Sequence, residues 1–313
     1  MQGRTLGPQV EETVMMRSVE SPAKLRAQLD DTGYLCDEGL ATIAWLALEL
    51  GRPLLLEGSP GTGKTALAEA LSEALQVPII RLQCFEGIDS SQALYDWDFP
   101  RQILHLRAAE AASRAGTEST EKDLERSLYD EHFLVARPLL QALQKSPCVL
   151  LIDEVDRADS EFEAFLLEVL ATYQVSIPEI GTIRAQQPPI VVLTSNRTRE
   201  LHDALKRRCM YHWIEHPNAA RELAIVRARL SDVPTRLAAQ VVTMVQELRA
   251  DPELTRAPGV AETLEWVRAL QALGLSSMDT GLAVAAAGVV AKHPEDLLRV
   301  RASVTARGTG GWG

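Results

Sequence analysis

Uninterrupted apolar segments alternate with segments of helical periodicity over residues 37–214. The segments at 54–56, 148–152 and 190–194 are almost wholly apolar, which is typical of strands covered on both faces. The predicted strands are 52–56, 79–83, 148–152, 190–194 and 210–214. Because strands that alternate with helices are joined by right-handed crossovers, the pattern predicts an α/β fold with a parallel sheet between helices.

Apolar positions spaced three and four residues apart predict the helices. Those of the first part are 22–29, 37–50, 64–75, 100–114, 138–145, 161–173 and 202–208, with a hairpin at 174–185. Four more helices, 219–230, 234–248, 261–270 and 278–290, follow His216-Pro217 without intervening strands. We therefore predict a flexible N-terminus at 1–17, an α/β core at 18–215, a small all-helical domain at 216–300 and a disordered, glycine-rich tail at 301–313.

The least regular part of the core lies at 85–135. Residues 116–127 are polar and charged and are expected to be solvated, whereas residues 95–99 combine aromatic and acidic side chains. The aromatic stretch has two interpretations, a partly buried surface loop or an insertion that docks a partner or faces a pore. The sequence favours neither.

A glycine-rich stretch, Gly58-Ser59-Pro60-Gly61-Thr62-Gly63-Lys64-Thr65, lies between the first predicted strand and the next helix. Strand, glycine-rich loop and helix in this order are typical of a loop that binds phosphates. Glycines allow turns in which successive N–H groups face an anion, and the start of the helix adds attraction. We predict that Lys64 reaches the β- and γ-phosphates of a nucleotide and that the Thr65 hydroxyl holds Mg²⁺.

Polar side chains follow two of the predicted central strands. Asp153 and Glu154 come directly after 148–152, and Asn196 follows 190–194. Ligands of open α/β sheets bind at this edge, where the strands end. We assign Asp153 to Mg²⁺ and Glu154 to the base that orients the attacking water. Asn196 is predicted to contact that water or the γ-phosphate.

Three basic residues, Lys206, Arg207 and Arg208, end the short predicted helix at 202–208. The structural explanation is that basic side chains suit the C-terminal end of a helix. The functional explanation is an arginine finger that stabilises γ-phosphate charge in a neighbouring subunit.

Composition narrows the classes of function. The chain has 32 basic and 43 acidic side chains, a formal charge of −11, which disfavours broad nucleic-acid binding because such binding needs a basic face. The cysteines, Cys36, Cys84, Cys148 and Cys209, show no CxxC spacing, so reduced core thiols are expected.

The longest apolar stretch, 281–291, is shorter than the about 20 residues of a membrane helix. With no export signal recognised, we expect a cytoplasmic protein without a membrane span.

The order of these elements resembles that of the AAA+ ATPases over nearly the whole chain. The elements are the phosphate-binding loop, the strand that ends at Asp153-Glu154, the hairpin at 174–185, the strand before Asn196, the helix that ends at Arg208 and the final helical domain. Within that group, residues 81–89, 92–97, 205–209 and 292–297 are similar to the MoxR branch and its CoxD-type ATPases of carbon monoxide dehydrogenase maturation. The resemblance implies a P-loop core with a parallel sheet, followed by a helical lid.

The resemblance also implies roles for individual residues. Lys64 and Thr65 match the Walker A motif, Asp153 and Glu154 the Walker B motif, and Asn196 sensor 1. The implied binding set for ATP is Gly58, Ser59, Pro60, Gly61, Thr62, Gly63, Lys64, Thr65, Ala66 and Asp153, with Thr65 and Asp153 on Mg²⁺. Arg208 best matches the arginine finger, and Arg207 is the alternative.

Two further positions are compared with the family. Gly33-Tyr34-Leu35 falls where relatives contact adenine. MoxR relatives carry a sensor 2 arginine at the start of a lid helix, but Glu262 falls near that position here. Arg256 or Arg268 are the candidates to substitute for it.

The implied activity is ATP hydrolysis by a homo-hexamer that remodels a client. The implied client is a metalloenzyme, a molybdenum hydroxylase of the carbon monoxide dehydrogenase class, and the implied partner has a von Willebrand A-type domain. The alternatives are a non-hydrolysing assembly scaffold and a nucleic-acid remodelling ATPase. A small-molecule kinase fits poorly, because it does not explain the asparagine strand and the helical lid.

Overall fold

The structure, a computed structural model, describes residues 19–114, 128–178 and 180–312. The predicted flexible N-terminus at 1–17 and the predicted solvated stretch at 116–127 lie outside the described residues.

Five parallel strands form the central sheet: β1 (Leu54–Gly58), β2 (Ile79–Gln83), β5 (Val149–Asp153), β8 (Ile190–Ser195) and β9 (Met210–Ile214). Their spatial order is β2-β5-β8-β1-β9, so β1 lies between β8 and β9. In this register Leu54 pairs with Val192 on one side and with Met210 on the other. The predicted α/β fold with a parallel sheet is confirmed.

Helices cover both faces of the sheet. They are α1 (Pro22–Asp31), α2 (Glu38–Glu49), α3 (Lys64–Leu75), α4 (Ser90–Leu94), α5 (Phe99–Arg114), α6 (Pro138–Gln144), α7 (Ser160–Thr172) and α8 (Asp203–Arg208). Leu54 and Leu56 pack with α1, α2 and α3, whereas Leu55 packs with α6 and α7 on the opposite face. Because side chains on both faces are buried, the central strands are apolar without alternation.

Two small antiparallel ribbons stand apart from this sheet. One pairs β6 (Gln174–Ile177) with β7 (Gly181–Arg184) and forms the predicted hairpin. The other pairs β3 (Tyr95–Trp97) with β4 (Leu134–Ala136). The Trp97 ring meets Tyr129 edge to face, with centroids 5.3 Å apart. The aromatic stretch is therefore a half-buried strand rather than a loop.

The lid consists of α9 (Ala219–Arg229), α10 (Thr235–Arg249), α11 (Val260–Ala272), α12 (Thr280–Ala285) and α13 (Pro294–Thr309). It has its own hydrophobic core, in which Trp266 is fully buried. Among the described residues, no helix combines the length and the apolar character that a membrane crossing requires.

The last helix differs from the predicted disordered tail at 301–313. Val300 and Val304, one turn apart on α13, are buried in the lid core. Gly308 packs so closely on the Thr280 side chain that an added Cβ would lie within 3 Å of three of its atoms. A glycine that the sequence suggested as a sign of disorder thus permits close packing.

The cysteines give a testable consequence of this packing. All four thiols are buried, and burial raises their pKa to about 11 for Cys36 and Cys148 and about 12 for Cys84 and Cys209. Because the thiolate is the reactive form, we expect the folded protein to resist iodoacetamide at pH 8. Intact-mass spectrometry should show alkylation at all four positions only in denaturant. Rapid labelling of any one position in the folded chain would contradict its burial.

Candidate functional site

A cavity of about 440 Å³ lies between the carboxyl ends of the central strands and the lid. Its walls include residues from the glycine-rich loop, from β5 and β8, and from the lid helices α9 and α11. The lining contains Lys64, Thr65, Asp153, Glu154 and Asn196. The structure therefore brings to one place the residues that the sequence assigns to phosphate binding, metal binding and water activation.

The glycine-rich loop is built for close main-chain approach. A Cβ on Gly58 would lie 2.4 Å from the Ile214 carbonyl oxygen, so only glycine fits beside β9. Gly61 and Gly63 have φ angles of +73° and +92°, which non-glycine residues rarely adopt. The loop ends at Lys64, the first residue of α3, so the N–H groups of that first turn face the cavity side of the loop.

The Lys64 ammonium lies inside the loop. Its Nζ donates hydrogen bonds to the carbonyl oxygens of Gly58 at 2.9 Å and Ser59 at 2.8 Å. Burial lowers the pKa of Lys64 to about 8, against the opposing effect of the nearby carboxylates. A buried cation at the centre of an inward-facing loop is suited to a polyanionic ligand.

Asp153 lies at the centre of a polar cluster. Its Oδ1 accepts hydrogen bonds from the hydroxyls of Thr194 and, at 3.1 Å, Thr65. Its Oδ2 accepts from Arg81 on the neighbouring strand β2. The hydroxyl and carboxylate that the sequence assigns to Mg²⁺ are thus in direct contact, which is a suitable oxygen donor set for that ion.

The main chain turns sharply at Glu154, which has a φ of +53°. Its N–H donates to the Thr194 hydroxyl at 2.9 Å, which fixes the turn against β8. Its carboxylate Oε2 lies 2.6 Å from Arg157 Nε. Glu154 therefore lies in the cavity wall with its charge partly compensated by Arg157.

Asn196 is held by a residue that the sequence did not single out. Asp156 is 2% exposed, and its carboxylate accepts from the N–H groups of Asn196 at 3.2 Å and Thr198 at 2.8 Å. The Thr198 hydroxyl donates to the same carboxylate. The segment after β8 is thereby fixed to the segment after β5, and Asn196 is placed in the cavity wall.

Arg207 and Arg208 lie at the end of α8, away from the cavity of their own chain. The two arginines precede β9, whose first residue, Met210, pairs with Leu54 at the start of β1. The glycine-rich loop follows the end of β1, so it lies at the other edge of the sheet. Arg208 is exposed, and its Nη1 donates to the Leu167 carbonyl of α7 at 2.9 Å. Both arginines therefore lie at the opposite edge of the sheet from the glycine-rich loop.

The lid touches the glycine-rich loop through main-chain atoms. The N–H groups of Val260 and Ala261, at the start of α11, point to the Gly61 carbonyl, at 2.8 and 3.3 Å. An added Cβ on Gly259 would lie 2.7 Å from the Gly61 Cα. Glu262 accepts from the Gly259 N–H at 2.9 Å, so it caps the start of α11.

Neither predicted substitute for that arginine enters the cavity. Arg256 and Arg268 are exposed and do not belong to its lining. The lid arginines that line it are Arg221 and Arg229, both on α9. Arg221 pairs with Asp37 at 2.7 Å and donates to the Leu35 carbonyl at 3.0 Å.

The Gly33-Tyr34-Leu35 segment lines the same cavity, as the sequence predicted for the adenine side. The Tyr34 hydroxyl donates to the Gly63 carbonyl at 3.3 Å, and burial raises the pKa of this phenol. Tyr34 thus links the segment at 33–35 to the glycine-rich loop.

Three supporting residues escaped the sequence interpretation: Thr194, Asp156 and Arg81. Asp156 was not singled out beside Asp153 and Glu154, and Thr194 was only the last residue of the predicted strand at 190–194. The polar run Thr194-Ser195-Asn196 at the end of a buried strand is the signal that indicated a site. The hydrogen-bond partners of these three side chains could not be predicted, because they depend on the sheet order, which places β5 between β2 and β8.

Residues 54–216, just over half of the chain, match the family described as "ATPase family associated with various cellular activities (AAA)". The chain is 25% identical over 254 residues to the uncharacterized protein YehL of Escherichia coli K12, covering 74% of this chain and 64% of that protein. It is 26% identical over 211 residues to the gas vesicle ATPase GvpN of Haloferax mediterranei, covering 64% and 58%. It therefore spans less than two thirds of the length of each of these relatives. A RuvB mutant from Thermotoga maritima aligns with a TM-score of 0.47 at 17% identity, over 86% of this chain and 72% of that one.

Proposed function

The chain belongs to the AAA family of ATPases, and on that premise we propose that it is a MoxR-type member that couples hydrolysis of Mg-ATP to the remodelling of a client protein. The observation that carries the proposal is the convergence of Lys64, Asp153, Glu154 and Asn196 on one cavity. The finer assignment rests on the resemblance of residues 81–89 and 205–209 to the CoxD-type ATPases.

Each residue has a distinct part in the proposed reaction. The loop amides and the Lys64 ammonium hold the phosphates of ATP, and Thr65 with Asp153 holds Mg²⁺. Bound Mg-ATP supplies the phosphoanhydride bond that water cleaves. Glu154 orients that water and accepts its proton, while Asn196 positions the water or the γ-phosphate. Asp156 and Thr194 keep these groups in place through the hydrogen bonds described above.

The proposed assembly is a homo-hexamer in which Arg208, with Arg207 as the alternative, completes the site of the neighbouring subunit. Its exposure at the opposite edge of the sheet from its own loop supports this arrangement. The proposed client is a metalloenzyme of the molybdenum hydroxylase class, and the proposed partner is a protein with a von Willebrand A-type domain. We place the complex in the cytoplasm.

A second candidate is an assembly scaffold that binds ATP without hydrolysing it. Glu262 stands near the sensor 2 position and accepts from the Gly259 N–H, and it favours this alternative because a carboxylate cannot supply the positive charge of an arginine there. The position of Glu154 in the cavity wall argues against a scaffold, because a protein that does not hydrolyse ATP has no need of a general base.

Substitution of the proposed base separates the two candidates. Glu154→Gln should keep ATP binding and lower turnover by about 100-fold or more, since general-base catalysis contributes on that order. The measurement is steady-state phosphate release alongside nucleotide binding by fluorescence. The matched control is Glu161→Gln, an exposed glutamate at the start of α7, which should leave turnover unchanged.

The same variant tests the client. With ATP bound and hydrolysis blocked, Glu154→Gln should retain a von Willebrand A-domain protein and a molybdenum hydroxylase precursor, identified by mass spectrometry. Wild-type turnover without loss in Glu154→Gln would refute hydrolysis at this site. Undetectable wild-type turnover in the presence of the partner would establish the scaffold.

A further inference from the structure

Arg52 makes a paired contact with the candidate finger segment. Its Nη2 donates to the Arg207 carbonyl at 2.7 Å, and its Nε donates to the Arg208 carbonyl at 3.2 Å. These are carbonyls of the last turn of α8, which lack a helical N–H partner. One planar guanidinium thus binds the main chain of both residues that are candidates for the finger.

The surrounding contacts fix the same segment from other sides. The Met210 N–H donates to the Pro53 carbonyl at 2.7 Å, which ties the chain after the finger to the residue after Arg52. Leu205 and Cys209 are buried on either side of the two arginines. The Arg208 side chain lies against the Leu167 carbonyl of α7. The finger segment therefore has a defined main-chain position, and Arg52 is the charged side chain that holds it.

Arg52 also connects two sites through one strand. It directly precedes Pro53 and β1, and β1 leads to Gly58, whose carbonyl accepts from Lys64. The residue that holds the finger and the lysine that holds phosphate thus lie at the two ends of the same strand and loop. A displacement of β1 would therefore move both Lys64 in the chain's own cavity and the segment that carries Arg207 and Arg208.

We propose that Arg52 is a positioning residue for the arginine finger, acting on the ATP site of the adjacent subunit. This inference rests on the proposed function, because it requires that Arg208 or Arg207 works in the neighbour. Arg52 is itself exposed, so its replacement removes two hydrogen bonds without opening the core. The expected loss is therefore one of turnover in the neighbour's site and not of folding or of the chain's own ATP binding.

Arg52→Met removes the guanidinium and keeps a side chain of similar reach. We expect kcat to fall about 10- to 100-fold, since misplacing a catalytic group by an ångström costs on that order. ATP affinity and the thermal transition should remain as in the wild type. Arg52→Lys should restore part of kcat, because an ammonium can reach one of the two carbonyls but lacks the planar fork. Arg301→Met, an exposed arginine of α13, is the matched control and should have no effect.

Mixed assemblies distinguish positioning of the neighbour's site from a local defect. Arg52→Met subunits keep an intact Glu154, and Glu154→Gln subunits keep an intact finger. When the two are mixed, phosphate release per Arg52→Met subunit should rise severalfold above that of Arg52→Met alone. The reference is the same mixture made with Arg208→Ala and, separately, with Arg207→Ala.

The outcomes separate the two hypotheses. If a finger variant loses turnover and regains it on mixing but Arg52→Met does neither, the positioning role is wrong and the proposed function stands. If Arg52→Met loses turnover that mixing does not restore, the contact serves only its own subunit and the inference is also overturned. If neither Arg208→Ala nor Arg207→Ala loses turnover, the proposed finger itself is refuted.

Discussion

Replacing Lys64 with alanine should lower ATP affinity by about 100-fold, because the two charge-assisted hydrogen bonds of about 1.5 kcal/mol each that the ammonium would donate to the phosphates are lost. The ammonium now donates to the Gly58 and Ser59 carbonyls and is 7% exposed, so it is already positioned inside the loop. Turnover should fall with binding, since the same group faces the phosphates. Titration with a fluorescent ATP analogue and steady-state phosphate release measure the two effects.

The pKa of Lys64 adds a pH dependence to this prediction. Burial lowers that pKa to about 8 in the nucleotide-free protein, so the ammonium is mostly protonated at pH 7 and mostly neutral at pH 9. Phosphates favour the charged form, so ATP binding draws in a proton at high pH. ATP affinity should therefore fall by about fivefold between pH 8 and pH 9 in the wild type, which is the ratio of the protonated fractions of a single group with a pKa of about 8. Lys64→Ala should not show this dependence.

A matched control comes from Lys24, on the first turn of α1, which is exposed and away from the cavity. Lys24→Ala should bind ATP as the wild type does at every pH. If Lys64→Ala kept wild-type affinity and turnover, the assignment of the glycine-rich loop to phosphate binding would be wrong, and the roles built on it would fall too.

Replacing Arg249 with methionine should destabilise the lid by about 3–5 kcal/mol, the usual cost of leaving one partner of a buried ion pair uncompensated. Glu222 is fully buried, and Arg249 donates to both of its carboxylate oxygens, at 2.6 and 2.7 Å. Thr263 and Gln246 donate to the same carboxylate. Without the guanidinium, a carboxylate with two neutral donors remains inside the lid.

Thermal unfolding followed by circular dichroism measures the loss. A domain of this size loses about 4–8 °C in Tm per kcal/mol, so the lid transition should move down by well over 10 °C. The matched control is Arg299→Met, which removes an exposed ion pair with Glu253 and should cost at most about 1 kcal/mol. In the double variant Arg249→Met with Glu222→Leu, part of the loss should be recovered, because the uncompensated charge is gone. Equal, small effects of Arg249→Met and Arg299→Met would show that the buried pair is not what holds the lid.

The sequence predicted the strands well, because strands that are buried on both faces consist almost wholly of apolar residues. The runs at 148–152 and 190–194 show this pattern. The loop from Gly58 to Thr65 was predicted from its glycines and from its place between a predicted strand and a predicted helix. The tail was predicted wrongly as disordered, because composition shows neither that Gly308 packs on Thr280 nor that Val300 and Val304 reach the lid core.

The supporting contacts could not be predicted for a different reason. Asp156 and Asn196 are 40 residues apart, and Arg52 and Arg207 are 155 residues apart. A pattern along the chain carries no information on such pairs until the order of the strands is known. The sequence placed Glu262 near the expected sensor 2 position, but it could not show that Arg221 and Arg229 are the lid arginines in the cavity wall.

The contact between Gly61 and Gly259 has a mechanical consequence. Two backbones touch there with no room for a methyl group on either, and the Glu262 carboxylate lies beside Gly61 at the same junction. Because the backbones are in contact, a shift of the loop towards α11 would displace the first turn of that helix. We therefore expect the loop and the first turn of α11 to move together at this point, through main-chain contact.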